Sequence, residues 1–243
     1  EIGEVTESSF PAIQTARDAF AQLSEQDQST VSNYDALEAA EEGYNRIIAN
    51  AVDQMILNIG EIQDDSDQKI REARDAFEQL TKEQKAFVNC YKLLIDKEEE
   101  YSQYKVRQSV EAIRGLETAD PDNVAVFELA EQMYSMLTDE QRKDVRSELG
   151  GEPTVIIQNA KALRAEQLIE RIEYVKGTPT KQELIQLRSA AEACFELGAG
   201  VQESISNYNR LKDALSNFSS FINNRAKTDK LYGRTVFIDE CSA

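Results

Sequence analysis

Apolar positions along this chain follow a pattern that returns at long range. Ala16-Arg17-Asp18-Ala19-Phe20-Ala21-Gln22-Leu23-Ser24 comes back 57 residues later as Ala73-Arg74-Asp75-Ala76-Phe77-Glu78-Gln79-Leu80-Thr81. Another 57 residues on, Ala130-Glu131-Gln132-Met133-Tyr134-Ser135-Met136-Leu137-Thr138 keeps the pattern, and a worn fourth copy, Ala190 to Leu197, follows after 60. Aligned on Leu23, Leu80, Leu137 and Leu197, other apolar positions fall into register. Ten residues upstream stand Ile13, Ile70, Phe127 and Leu187, and three upstream stand Phe20, Phe77, Tyr134 and Cys194. Eight downstream stand Val31, Val88, Val145 and Ile205. Tyr34, Tyr91 and Tyr208 share the offset of eleven, where the third copy has Glu148, and Leu37, Leu94 and Leu211 share fourteen, where it has Gly151.

Offsets of −10, −7, −3 and 0 mark one face of a helix, so each leucine closes an amphipathic first helix. Thr81-Lys82-Glu83-Gln84 and Thr138-Asp139-Glu140-Gln141 then have the form of a capping box, with Ser24-Glu25-Gln26-Asp27 a weaker version. One helix therefore stops and a short one starts with almost no loop. A long helix begins near the tyrosine, after Asn33 or Asn207 as cap, and runs to about Ile62, Leu116 or Val175. Asp64-Asp65-Ser66-Asp67, Asp120-Pro121-Asp122-Asn123 and Gly177-Thr178-Pro179-Thr180 are the stop signals.

A unit this small buries little alone, so neighbours are expected to share helices. The expected fold is all-α: an elongated array of about four three-helix-bundle-like repeats, with the far half of each long helix covering the next first helix. The repeats span 1–65, 66–119, 120–176 and 177–230, followed by a tail, 231–243, in which Thr235-Val236-Phe237-Ile238 has strand-like composition. Gly150-Gly151-Glu152-Pro153 breaks the second helix of the third copy and predicts an open loop there.

Composition narrows the chemistry. Lys and Arg number 27 against 45 Asp and Glu, a net charge of −18 that repels nucleic acid and anionic lipid. There is no His, which removes the Ser-His-Asp, Cys-His and His-bearing metal arrangements together. Asp64, Asp65 and Asp67 lack the glycine and terminal glutamate of a calcium loop and read as helix-start carboxylates. Cys194 stands where other copies place Phe or Tyr, a core position; Cys90 stands where two copies carry the capping Asn, and Cys241 lies in the tail. No apolar run reaches the ~18 residues of a membrane span, so no direct membrane insertion is expected. We expect no catalysis, no metal and no cofactor. With Glu1 first and no leader-like run behind it, the sequence reads as a mature fragment or a piece cut from a longer chain, with any export signal or anchor outside it, and a monomer is expected.

Ile70-x-x-Ala73-Arg74-x-Ala76-Phe77-x-x-Leu80-Thr81-x-x-Gln84-Lys85-x-x-Val88, with Tyr91 and Leu94, resembles a helical repeat of large secreted, wall-attached proteins of Gram-positive bacteria. The lead-in Ile2-Gly3-Glu4-Val5, echoed by Ile59-Gly60-Glu61-Ile62, looks like the junction between such repeats. The resemblance implies an extracellular, cell-surface location and a role as a binding module or as a stalk presenting other domains. A second, local likeness runs from Leu137 to Pro153: Leu137-x-x-Glu140-Gln141-Arg142-x-x-Val145-x-x-x-Leu149-x-x-x-Pro153 is similar to the second helix of immunoglobulin-binding modules of the protein A type. Gln141 matches a contact position of that family and Glu152 keeps its charge, whereas Asp144, Val145, Glu148 and Gly151 depart. What this implies is a host protein partner, immunoglobulin the most specific candidate, met through Gln141, Arg142 and Glu152.

Overall fold

A computed structural model describes residues 3–229, with side chains placed except at 199 and 225–229. All regular structure among the described residues is helical. The order is α1 (Phe10–Ala21), α2 (Glu25–Gln28), α3 (Tyr34–Leu57), α4 (Ser66–Gln79), α5 (Lys82–Lys85), α6 (Tyr91–Gly115), α7 (Val124–Ser135), α8 (Asp139–Leu149), α9 (Pro153–Glu170), α10 (Lys181–Phe195), α11 (Ala199–Gln202) and α12 (Tyr208–Asp229). Short 3-10 turns stand at Glu7–Ser9 and Leu116–Thr118. The tail from 231 lies outside the described residues.

The chain divides into two compact units, residues 1–104 and 105–243, and the division falls inside α6. In the first unit, Ile13, Leu37 and Ala40 form one small buried cluster, joined by half-buried Phe20 and Tyr34. A larger cluster joins Val52, Ile56 and Ile59, from α3 and just after it, to Ile70, Ala73 and Phe77 of α4, then Leu80 and Leu94. In the second unit, Val106, Val110 and Ile113 of α6 meet Phe127, Ala130, Leu137 and Val145. There too Ala165, Leu168 and Ile169 of α9 meet Leu187, Ala190, Cys194 and Leu197. The far half of α3, α6 and α9 thus buries its apolar stripe against the first helix of the following sequence copy, as the period of the pattern requires. Tyr104 belongs with the first unit, where its hydroxyl donates to Asp64 at 2.6 Å.

Capping follows the sequence closely. Thr81 and Thr138 each accept from the N–H three residues on, and Gln84 and Gln141 reach back to the threonine N–H. Ser24 accepts from Asp27 N–H at 3.2 Å, and Thr180 with Glu183 forms a further box. Some expectations fail. Gly150-Gly151-Glu152 is a three-residue turn and not an open loop: α8 runs to Leu149 and Gly150 takes a left-handed φ of 66°. That conformation suits glycine and closes a helix tightly. Asn33 gives α3 no side-chain cap, α3 ends at Leu57 short of Ile62, and the third long helix, expected to reach Val175, ends at Glu170. Beyond it Ile172 and Tyr174 are buried and Glu173 and Val175 exposed, the alternation of an extended segment. The Tyr174 hydroxyl fastens it by donating to Gly177 O at 3.0 Å.

Candidate functional site

The three residues singled out for partner contact sit around the α8–α9 corner. Gln141 is 5% exposed, and its side-chain carbonyl accepts from Thr138 N–H at 2.9 Å. Its carboxamide is occupied by the cap. Arg142 lies over the Tyr134 ring, 5.7 Å from its centroid, and its Nη2 donates to Ser135 O at 2.7 Å. It thereby satisfies the C-terminal end of α7, whose last carbonyls have no partner within the helix. Glu152 is open to solvent and pairs with Arg146 at 2.7 Å, closing the turn between α8 and α9. Each of the three has a structural task, and Glu152 is the one whose carboxylate faces outward.

Arg142 occupies an offset that works the same way elsewhere. Gln28 Nε2 donates to Phe20 O at 3.1 Å and Leu23 O at 3.2 Å, and Gln202 Nε2 to Cys194 O and Leu197 O at 2.8 Å each. A long polar side chain five residues after the reference leucine holds the end of the first helix in all three copies. Asp64, Asp65 and Asp67 also have donors: Tyr104 for the first, Lys69 at 3.5 Å for the second and Arg71 at 2.6 Å for the third.

Several tying residues escaped the sequence reading. Arg17 pairs with Glu41 and donates to the Tyr34 hydroxyl at 2.9 Å. Arg74 pairs bidentately with Glu98 at 2.7 and 2.6 Å, with its guanidinium 5.5 Å from the Tyr91 ring centroid. The hydrogen bond to the partner glutamate raises each guanidinium further above the ordinary arginine value, so both stay charged at every accessible pH. The pairs recur at the 57-residue shift and were visible in principle, since both members move together. In the third copy Glu131, at the Arg offset, pairs instead with Lys161, six residues beyond the Glu offset, at 2.6 Å. In the fourth, Ala191 and Leu215 stand at the Arg and Glu offsets and join the apolar core.

Asp53 is the other missed residue. It is 5% exposed on α3 and accepts from Asn89 N–H at 3.0 Å and Cys90 N–H at 2.7 Å, capping α6 from another helix. Glu166 of α9 repeats this by accepting from Ser206 N–H at 2.9 Å, ahead of α12. No local sequence signal announces such a cap. Cys90 beside Asp53 has its thiol pushed up by burial and by that carboxylate. Cys194, enclosed in the fourth copy's core, is pushed up to about 11 by burial alone. Neither thiol is poised as a thiolate nucleophile near neutral pH.

One surface differs between copies. Leu129 of α7 and Met136, the helical-backbone residue just past its end and seven residues on, share one face and are 50% and 72% exposed. The siblings carry Thr15, Glu72 and Ser189 at the first offset and Gln22, Gln79 and Glu196 at the second. Comparison with family models, with curated proteins and with solved structures finds no match to this chain.

Proposed function

We propose that this chain is a non-catalytic part of an extracellular Gram-positive bacterial surface protein, an elongated array of about four three-helix-type repeats that binds a host protein. The observation that carries the reading is the outward face of α7. Leu129 and Met136 place apolar surface where the other copies are polar, and exposed apolar patches on soluble chains mark interaction sites. Immunoglobulin is the first partner to test, because of the likeness around Gln141, Arg142 and Glu152. The burial of Gln141 moves the expected contact from α8 to α7 and to the Glu152 carboxylate. Repetition along a cell surface multiplies modest affinities.

The test is capture of immunoglobulin by the wild-type chain and by a Leu129→Glu, Met136→Gln variant, which restores the residues of the second copy on an exposed face. Loss of binding in the variant supports the reading. No capture by the wild-type chain, or equal capture by both, removes it. The stalk reading is favoured by a separate observation: Asp53 and Glu166 each lock the start of one long helix from the preceding one. Small-angle scattering addresses the array itself, since a compact globule of this length has a radius of gyration of ~18 Å and an array gives a larger one.

A further inference from the structure

The first copy carries an open apolar groove that its siblings have filled. It lies between α1 and α3, has a volume of about 1120 Å³, and is lined by Val5, Ala16, Phe20, Leu23, Val31 and Leu37 among others. In the second copy the equivalent side chains are covered by Val52, Ile56 and Ile59. In the third, Val106, Val110 and Ile113 cover them, and in the fourth Ala165, Leu168 and Ile169. Exposure records the difference. Leu80, Leu137 and Leu197 are 9%, 5% and 1% exposed, whereas Leu23 is 39% exposed. Among the described residues no helix lies over the first groove.

Two further features say what fits. Gly3 has φ 67° and Thr6 N–H donates to Ser9 Oγ at 2.9 Å; Gly60 has φ 66° and Gln63 N–H donates to Ser66 Oγ at 2.9 Å. The lead-in to the first copy thus reproduces the junction that follows α3. The backbone N–H groups of Ser32 and Asn33 stand at the offsets where those of Asn89 and Cys90 donate to the Asp53 carboxylate. Asn33 supplies no side-chain cap to α3.

From these we infer that the groove is the docking site for one amphipathic helix of the kind formed by the second half of α3. That helix bears apolar residues in the spacing of Ala49, Val52 and Ile56, and a carboxylate beside the second of them, as Asp53 stands, to cap Ser32 and Asn33. It arrives with its C-terminal end leading into Gly3, as α3 leads into Gly60. The inference rests on the repeat-array reading but not on any host partner.

The decisive experiment joins a second copy of residues 34–57 directly ahead of Glu1 in the full chain, so that Glu1 falls where Asn58 follows α3. Hydrogen exchange then reads the first copy. The docked helix slows the amides of α1 about tenfold or more and protects Ser32 and Asn33 selectively. With Ile56→Asp in the added segment, α1 returns to the rates of the unextended chain. With Asp53→Ala in the added segment, the protection of Ser32 and Asn33 is lost while that of α1 is largely kept. Unchanged α1 rates in the extended chain overturn the proposal. So does concentration-dependent protection of α1 in the unextended chain, which assigns the groove to a second copy of the same molecule. Neither outcome touches the host-binding reading, which has its own capture test.

Discussion

The first and second sequence copies share residues, offsets and local geometry, yet differ in burial. Phe20 stacks on Tyr34 and Phe77 on Tyr91, both with ring centroids 4.3 Å apart. Arg17–Glu41 and Arg74–Glu98 brace the same pairs of helices. Even so, Ala73 and Leu94 are fully buried, while Ala16 is only half-buried and Leu37 is 8% exposed. What separates the copies is the covering stripe of α3, which the second has and the first lacks among the described residues. Pattern makes a helix; a neighbour makes a core. Hydrophobic stabilisation scales with area removed from water, so the second copy gains more from the same residue types.

The largest effect expected from this difference is at the reference leucine. Leu80→Asp places a carboxylate in the larger cluster and should cost about 3–5 kcal/mol, unfolding the region around α3, α4 and α6 together. Leu23→Asp, at a half-open position, should cost about 1 kcal/mol or less. Urea unfolding of the two variants checks the contrast. Equal losses would break the comparison.

Next comes the cap across helices. Asp53→Ala leaves the Asn89 and Cys90 N–H groups without their acceptor and should cost about 1–2 kcal/mol. The matching change in the first copy has no counterpart to remove, so the loss should appear at α6 and leave α1 exchange unchanged.

A smaller effect is expected at the ion pairs. Arg74→Ala with Glu98→Leu copies what the fourth copy already has in Ala191 and Leu215. Pairs with this much solvent contact contribute about 1 kcal/mol or less, so the double variant should melt within a few degrees of wild type. Arg74→Ala alone should be the more harmful, since Glu98 then loses its donor against a partly buried surface.

The smallest effect is acid sensitivity. Glu78 is held below the ordinary glutamate value by Lys85, and Glu83 and Glu183 by the hydrogen bonds of their helix starts. A depressed folded value stabilises above the unfolded value of 4.5 and is lost as pH falls through the folded one. All three lie on the surface, so the melting temperature should drop only slightly below about pH 4.5. With no His in the chain, little should change between about pH 5.5 and 8. A step near pH 6.5 in a melting series would contradict this.

Much of the fold was legible because its signals are local. The offsets of Ile13, Ala16, Phe20 and Leu23, and the boxes at Thr81 and Thr138, each depend on residues within three turns of one another. Asp53 and Glu166 were not legible: each acts across about 40 residues, and an acid in a chain with 45 of them carries no mark. The turn at Gly150 was misread because two adjacent glycines suggest freedom, whereas one of them serves as a left-handed helix stop. At the candidate site, the box that the sequence showed at Thr138 already implied that Gln141 would turn inward. The exposed Leu129 and Met136 could have been found by comparing the outward offsets of the four copies as closely as the inward ones.

The central claim is that coverage by a preceding long helix, and not residue identity, sets the stability of each copy. Native-state hydrogen exchange on the unaltered chain tests it most directly, by comparing α1 with α4, whose sequences align at the 57-residue shift. The account predicts that amides of α1 exchange through openings at least about 2 kcal/mol cheaper than those of α4. Equal protection of the two helices, or greater protection of α1, would contradict it.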